Sequence, residues 1–201
     1  MPNNRTFDCT TLYKKELSWY ICDLRHKLKE NHVNLVTSNP DFFIADTKNC
    51  PCHLKKTLGE YSNKFRNEFE HGITASTIER ADNLYKIFIN QLDLDDICAY
   101  LSVKTTLRPD RRLQLAHEGS LMKALYVHLQ TRTWNINAKG IKYYGAATKL
   151  SDADVDGLKT AATHSIAAAT SDPQSAVDKL FKLDSFYEID QCLNNILLIE
   201  S

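Results

Sequence analysis

A lysine at position 104 is followed closely by Arg108-Pro109-Asp110-Arg111-Arg112. Three arginines against one aspartate give this cluster a net charge of about +2, which suits a phosphate group. Arg108, Asp110 and Arg111 also form a mixed set of donors and acceptor. An arginine fork matches the O6 and N7 acceptors of guanine, and a carboxylate accepts from the N4 amine of cytosine, so the triplet can read G·C pairs in a major groove. For an isolated RPDRR, a solvated loop with an internal Arg–Asp pair is the plainer reading. The flanking residues decide between the two.

Upstream, Ile97, Ala99, Leu101 and Val103 alternate in a run rich in aromatic and β-branched residues, the pattern of a buried strand that delivers Lys104. Downstream, Leu113 to about Thr131 has the length and spacing of a helix, with Leu115, Leu121, Met122, Leu125 and Leu129 apolar and Glu118 in its early turns. The unit is a strand, a basic turn and a helix.

The segment SVKTTLRPDRRLQLAHEGSLMKAL, preceded by NLVTSNPDF and followed by HLQTRTW, closely resembles the type II restriction endonucleases of the Cfr-ten-I and NgoMIV group. The resemblance runs from Met1 to about Leu198. It implies a PD-(D/E)xK restriction-endonuclease-like α/β core, a central mixed β-sheet flanked by helices, in a single domain over residues 1–201. It also implies Mg²⁺-dependent hydrolysis of double-stranded DNA at a CCGG-core site of the purine-CCGG-pyrimidine type. Asp41, in Pro40-Asp41, would hold the metal beside the lysine strand, and Lys104 would be the catalytic lysine. The acidic residue expected two positions before the lysine is replaced by Ser102. The family relocates that acid to the following helix, where Glu118 matches, leaving Ser102 a supporting hydrogen-bonding role. Arg108, Asp110 and Arg111 would read the CCGG core. Palindromic sites imply a homodimer or homotetramer. His117 is more ordinary as a structural or phosphate-contacting histidine than as a base.

Family members carry a helical segment ahead of the region where this sequence begins, including a glutamate associated with a second metal position. The resemblance therefore implies that this segment is absent, and the alternative expectation is a truncated, catalytically inactive DNA-binding remnant.

Asp46-Thr47-Lys48 also fits the second half of the nuclease pattern. Asp41 and Lys48, however, lie on one extended run of about 23 Å, too far apart to share a metal. Lys104, on a separate strand, can pair alongside Asp41.

Composition permits this reading without requiring it. In 201 residues, Lys plus Arg and Asp plus Glu number 25 each, so no global field draws in nucleic acid and any basic face must be local. The six cysteines are scattered, with no signal peptide and no apolar span of about twenty residues, which reads as a reduced, cytoplasmic protein with no membrane association. Cys50-Pro51-Cys52-His53 lacks the second ligand pair that a structural zinc needs.

The remaining elements are expected as follows. Residues 1–7 are extended. Thr10 or Thr11 caps a helix bearing Tyr13, Leu17, Ile21 and Leu24. A short buried strand covers Val33 to Val36, and a second runs from Phe42 to about Asp46. A helical excursion over about 51–95 separates the metal strand from the lysine strand. Its first helix carries Leu54, Leu58, Tyr61, Phe65 and Phe69, and its second, started by a Ser76–Glu79 capping box, carries Ile78, Ala81, Tyr85 and Phe88. Trp134 to Ile136 and Ile141 to Ala147 form a hairpin through Asn137-Ala138-Lys139-Gly140. A helix runs from Ser151-Asp152 to Thr163, a break follows at Ala167 to Pro173, and two short helices cover Ser175 to Leu183 and Phe186 to Leu198.

Overall fold

The computed structural model describes residues 8–37, 39–48, 51–72, 74–160, 162 and 174–199. Within them, β1 (Phe42–Ala45), β2 (Ile97–Thr106), β3 (Lys142–Lys149) and β4 (Lys179–Lys182) form one mixed sheet in the order β1-β2-β3-β4. β1 runs antiparallel to β2, while the β2/β3 and β3/β4 pairs are parallel. Helices flank the sheet, as the sequence led us to expect.

Strand alternation builds two cores on the two faces. Tyr100 and Tyr143 pack with Leu17 and Ile21 of α1 (Lys15–Glu30) and with Leu115, Met122, Leu125 and Leu129 of α4 (Pro109–Thr133). On the other face, Ala99, Leu101, Tyr144, Ala146 and Phe181 meet Cys192 and Ile196 of α6 (Phe186–Ile199). Because β2 is covered on both sides, it reads as a nearly continuous apolar run. Two further helices, α2 (Cys52–His71) and α3 (Ala75–Lys86), lie between β1 and β2 in the chain. No described helix is long and apolar enough to cross a membrane.

Several local expectations are corrected. Asp8 caps a 3-10 turn over Cys9–Leu12, and α1 begins only at Lys15. Residues 33–36 form no strand, and Val33 and Val36 are exposed. The box at α3 is Thr74 with Thr77, two residues earlier than the expected Ser76 with Glu79. There is no hairpin at 134–147: Trp134 closes α4 in a left-handed conformation (φ 53°), and β3 joins β2 in parallel. The helix α5 (Asp152–Gly157) stops well short of Thr163. The expected helix over 175–183 is replaced by β4, because Lys179-Leu180-Phe181-Lys182 pairs with the open edge of β3. Residues 1–7, Cys50, the break at 167–173 and the side chains of Phe65, Phe69, Ile78, Ala81 and Leu198 lie outside the described residues.

Candidate functional site

The expected site residues gather at the end of β2 that leads into α4. Pairing of β1 with β2 extends from Ala45 to Phe42, opposite Leu101, and stops there. The next residue of β1's approach, Asp41, uses its side chain instead, and Oδ2 accepts a hydrogen bond from the Val103 backbone N–H at 2.8 Å. The loop before it is tied down as well: Asn39 Oδ1 accepts from the Cys9 N–H at 3.2 Å.

Ser102 and Lys104 share one face of β2, since side chains alternate. Ser102 is fully buried (0% exposed), and its Oγ lies 3.3 Å from Glu118 Oε2. Tyr143 of the neighbouring β3, also buried, donates its hydroxyl to the same Glu118 oxygen at 2.8 Å and lies 2.9 Å from Ser102 Oγ. Two carboxylates therefore meet adjacent residues of β2, Asp41 at Val103 and Glu118 at Ser102. The Lys104 ammonium, half-buried two residues further on, makes no hydrogen bond or ion pair among the described residues.

This donor set suits a hard cation. Mg²⁺ is commonly held by one or two carboxylates, with water and substrate phosphate oxygens completing its shell. No group of three or more His, Cys, Asp or Glu that could cage a metal occurs among the described residues.

Arg108 is the N-cap of α4, with Pro109 in the first turn, so the expected basic turn is the start of the helix itself. Asp110 stands 3.7 Å from Arg108 Nε and 3.9 Å from Arg111 Nε, all three side chains being well exposed. Arg112 is turned away from them, reaching Asp154 at 3.4 Å and the Ala153 carbonyl at 3.4 Å. It fastens α5 to α4, so the free basic charge is smaller than the sequence cluster suggests. Asp46 lies at the opposite end of β2, where its N–H donates to the Asp96 carbonyl at 2.8 Å. Lys48 turns back with it, donating its N–H to Asp46 Oδ1 at 2.8 Å, and His117 is exposed on α4.

Two residues escaped the sequence reading. Tyr143 gave no signal, because its partners are 25 and 41 positions away. Gln114 could have been found from its spacing: three residues after Arg111 and four before Glu118, it shares their helix face. Its Oε1 accepts from Arg111 Nη1 at 2.9 Å and its Nε2 donates to Glu118 Oε1 at 2.8 Å.

The helix carrying Glu118 is locked to the sheet just beyond it. A Cβ on Gly119 would lie 2.1 Å from the Ala176 carbonyl oxygen, so only glycine permits this approach. One turn later, buried Lys123 meets Asp178 at 2.7 Å and the Ser175 carbonyl at 2.7 Å. Burial pushes the Lys123 ammonium below its ordinary pKa, against the pull of Asp178.

A family model described as Cfr10I/Bse634I restriction endonuclease matches residues 1–198. The Type II restriction enzyme Cfr10I of Citrobacter freundii is 58% identical over 197 residues, covering 98% of this chain and 67% of that protein. The solved Bse634I restriction endonuclease superposes with a TM-score of 0.80 at 38% identity, over 98% of this chain and 65% of that one. A crystal structure of the Type IIF restriction endonuclease Bse634I with cognate DNA superposes with a TM-score of 0.79 at 39% identity, over 98% and 64%. The chain thus spans about two thirds of the length of these relatives.

Proposed function

This chain belongs to the Cfr10I/Bse634I restriction endonuclease family, and from that premise we propose that it is a Mg²⁺-dependent type II restriction endonuclease. Its substrate is double-stranded DNA with a CCGG core, of the purine-CCGG-pyrimidine type, and it acts as a homodimer or homotetramer on that palindrome. The observation that carries this reading is the meeting of Asp41 and Glu118 at Val103 and Ser102, with Lys104, which has no partner among the described residues, on the same face of β2 as Ser102, and the exposed Arg108, Asp110 and Arg111 opening the next helix.

Hydrolysis of a phosphodiester needs an activated water, neutralisation of the charge developing on phosphorus and a proton for the leaving oxygen. Asp41 and Glu118 would hold Mg²⁺, which when bound lowers the pKa of a coordinated water and neutralises a non-bridging oxygen. Val103 N–H orients the Asp41 carboxylate, while Tyr143 and Ser102 orient that of Glu118. Lys104 supplies a positive charge to the scissile phosphate and orients the attacking water or helps take its proton.

Sequence readout falls to the first turn of α4. Arg108 and Arg111 donate to guanine O6 and N7, and Asp110 accepts from cytosine N4, each good bidentate contact contributing about 1 to 3 kcal/mol of discrimination. The exposed pairs these side chains make with one another are worth at most about 1 kcal/mol, so exchanging them for base contacts is favourable. The test is digestion of plasmid DNA containing CCGG sites with Mg²⁺ and with EDTA. Discrete fragments that depend on Mg²⁺ are expected. Specific binding without cleavage would instead identify a DNA-binding remnant, and no affinity for DNA would overturn both.

A further inference from the structure

Among the described residues Glu118 has three hydrogen-bond donors, unevenly shared. Oε2 receives both Tyr143 and Ser102, while Oε1 receives only Gln114. A carboxylate oxygen has two acceptor sites, so Oε2 is filled and Oε1 retains one free lone pair. The direction of that lone pair depends on the Gln114 amide. The amide is itself held from the other side, since its oxygen takes the Arg111 Nη1–H at 2.9 Å. Turning the amide over would set its oxygen against the Glu118 carboxylate and its NH₂ against the guanidinium, so the two neighbours together enforce one orientation.

Resting on the functional reading above, we infer that Gln114 is a positioning residue that couples base readout by Arg111 to metal binding by Glu118. When Arg111 is fixed on a guanine, its guanidinium holds the Gln114 oxygen, and the Gln114 NH₂ holds Glu118 Oε1 toward the site shared with Asp41. At a wrong base pair the guanidinium lacks its acceptors, the amide loses its fixed neighbour, and Oε1 loses its fixed donor while Tyr143 and Ser102 still hold Oε2. Metal binding and CCGG binding then reinforce each other through one side chain. Such coupling is reciprocal: the factor by which cognate DNA tightens the metal is the factor by which the metal tightens cognate DNA.

The experiment uses Lys104→Ala protein, which on the reading above binds with cleavage strongly slowed and in which all three members of the relay are intact. Dissociation constants are measured for a CCGG duplex and for one with a G·C pair replaced by A·T, each with Mg²⁺ and with EDTA. The gain on adding Mg²⁺ is expected to be larger for CCGG. In a Gln114→Met variant, which keeps length and helix propensity but neither hydrogen bond, the extra gain for CCGG falls about fivefold. Affinity in EDTA changes by less than about twofold, because the Arg111 fork itself is intact. An unchanged Mg²⁺ gain, or an equal loss of affinity in EDTA, overturns the coupling while leaving the nuclease reading in place. Absence of any CCGG preference or Mg²⁺ effect in the Lys104→Ala protein overturns the nuclease reading and the coupling with it.

Discussion

The Asp41 carboxylate closes onto the Val103 backbone N–H at 2.8 Å across 62 residues of chain, at the point where pairing between β1 and β2 ends. This bond gives Asp41 a structural task beside its proposed metal-binding one, and substitution separates the two. Asp41→Asn keeps an oxygen for the N–H but loses the charge, so cleavage is expected to disappear while stability stays within about 1 kcal/mol of the parent. Asp41→Ala also leaves the N–H without its partner and is expected to cost a further 1 to 3 kcal/mol, roughly, in urea unfolding. Equal stabilities for the two variants would show that the bond carries no weight.

Tyr143→Phe removes the hydroxyl that Glu118 and Ser102 share and leaves the ring in the core. Loss of a partner that orients a metal-binding carboxylate typically weakens metal affinity by about 10- to 100-fold. The Mg²⁺ concentration giving half-maximal cleavage is therefore expected to rise at least about tenfold. A rate lowered equally at all Mg²⁺ concentrations would place the hydroxyl's effect elsewhere.

Gly119→Ala forces a methyl onto the Ala176 carbonyl, a backbone atom that can yield only if α4 and the lead-in to β4 separate. The expected destabilisation is at least about 2 kcal/mol, at the upper end of what overpacking costs. Because Glu118 is the preceding residue, cleavage should fall in the protein that remains folded. Chemical denaturation and a cleavage assay on the same preparation check both.

Asp8 sets an acid limit to stability. Burial raises its pKa, but the Thr10 N–H, the Thr37 hydroxyl and the Arg25 guanidinium outweigh this and hold the carboxyl below its ordinary value. A pKa lowered in the folded state contributes stability that is complete above the unfolded value, near about 3.9, and is lost as pH falls through the folded value. Urea unfolding between about pH 2 and pH 7 should show this loss, and Asp8→Asn should flatten it while lowering stability at neutral pH by about 1 to 3 kcal/mol. The consequence reaches the site, since Thr37 Oγ1, which donates to Asp8 at 2.8 Å, lies in the segment leading to Asp41.

The strand–turn–helix unit from Ile97 to Glu118 was legible because a continuous apolar run, a basic cluster and a helix-length segment follow one another in that order. What failed depended on distant partners. Val177, Leu180 and Phe181 fit a helix as well as a strand, and only the open edge of β3 decides for β4. Val33 and Val36 look like a buried strand, yet no sheet edge reaches them. Trp134 and Ile136, at 85% and 88% exposed, have strand-forming side chains, but Trp134 is itself the left-handed cap that ends α4 and Ile136 lies just beyond it. In the site, Asp41, Ser102, Lys104 and Glu118 were found through a resemblance. The bonds that orient them, from Val103, Tyr143 and Gln114, come from the sheet register and the helix face.

Lys104, on the same face of β2 as Ser102 at the strand end where Asp41 and Glu118 meet, is proposed to act on the scissile phosphate of a CCGG site. The most direct test of this role measures single-turnover cleavage and binding of a CCGG duplex by the unaltered protein and by Lys104→Ala, both with Mg²⁺. Cleavage slowed by at least about a hundredfold, with CCGG-specific binding retained, is expected. Cleavage at an unchanged rate in Lys104→Ala would contradict it.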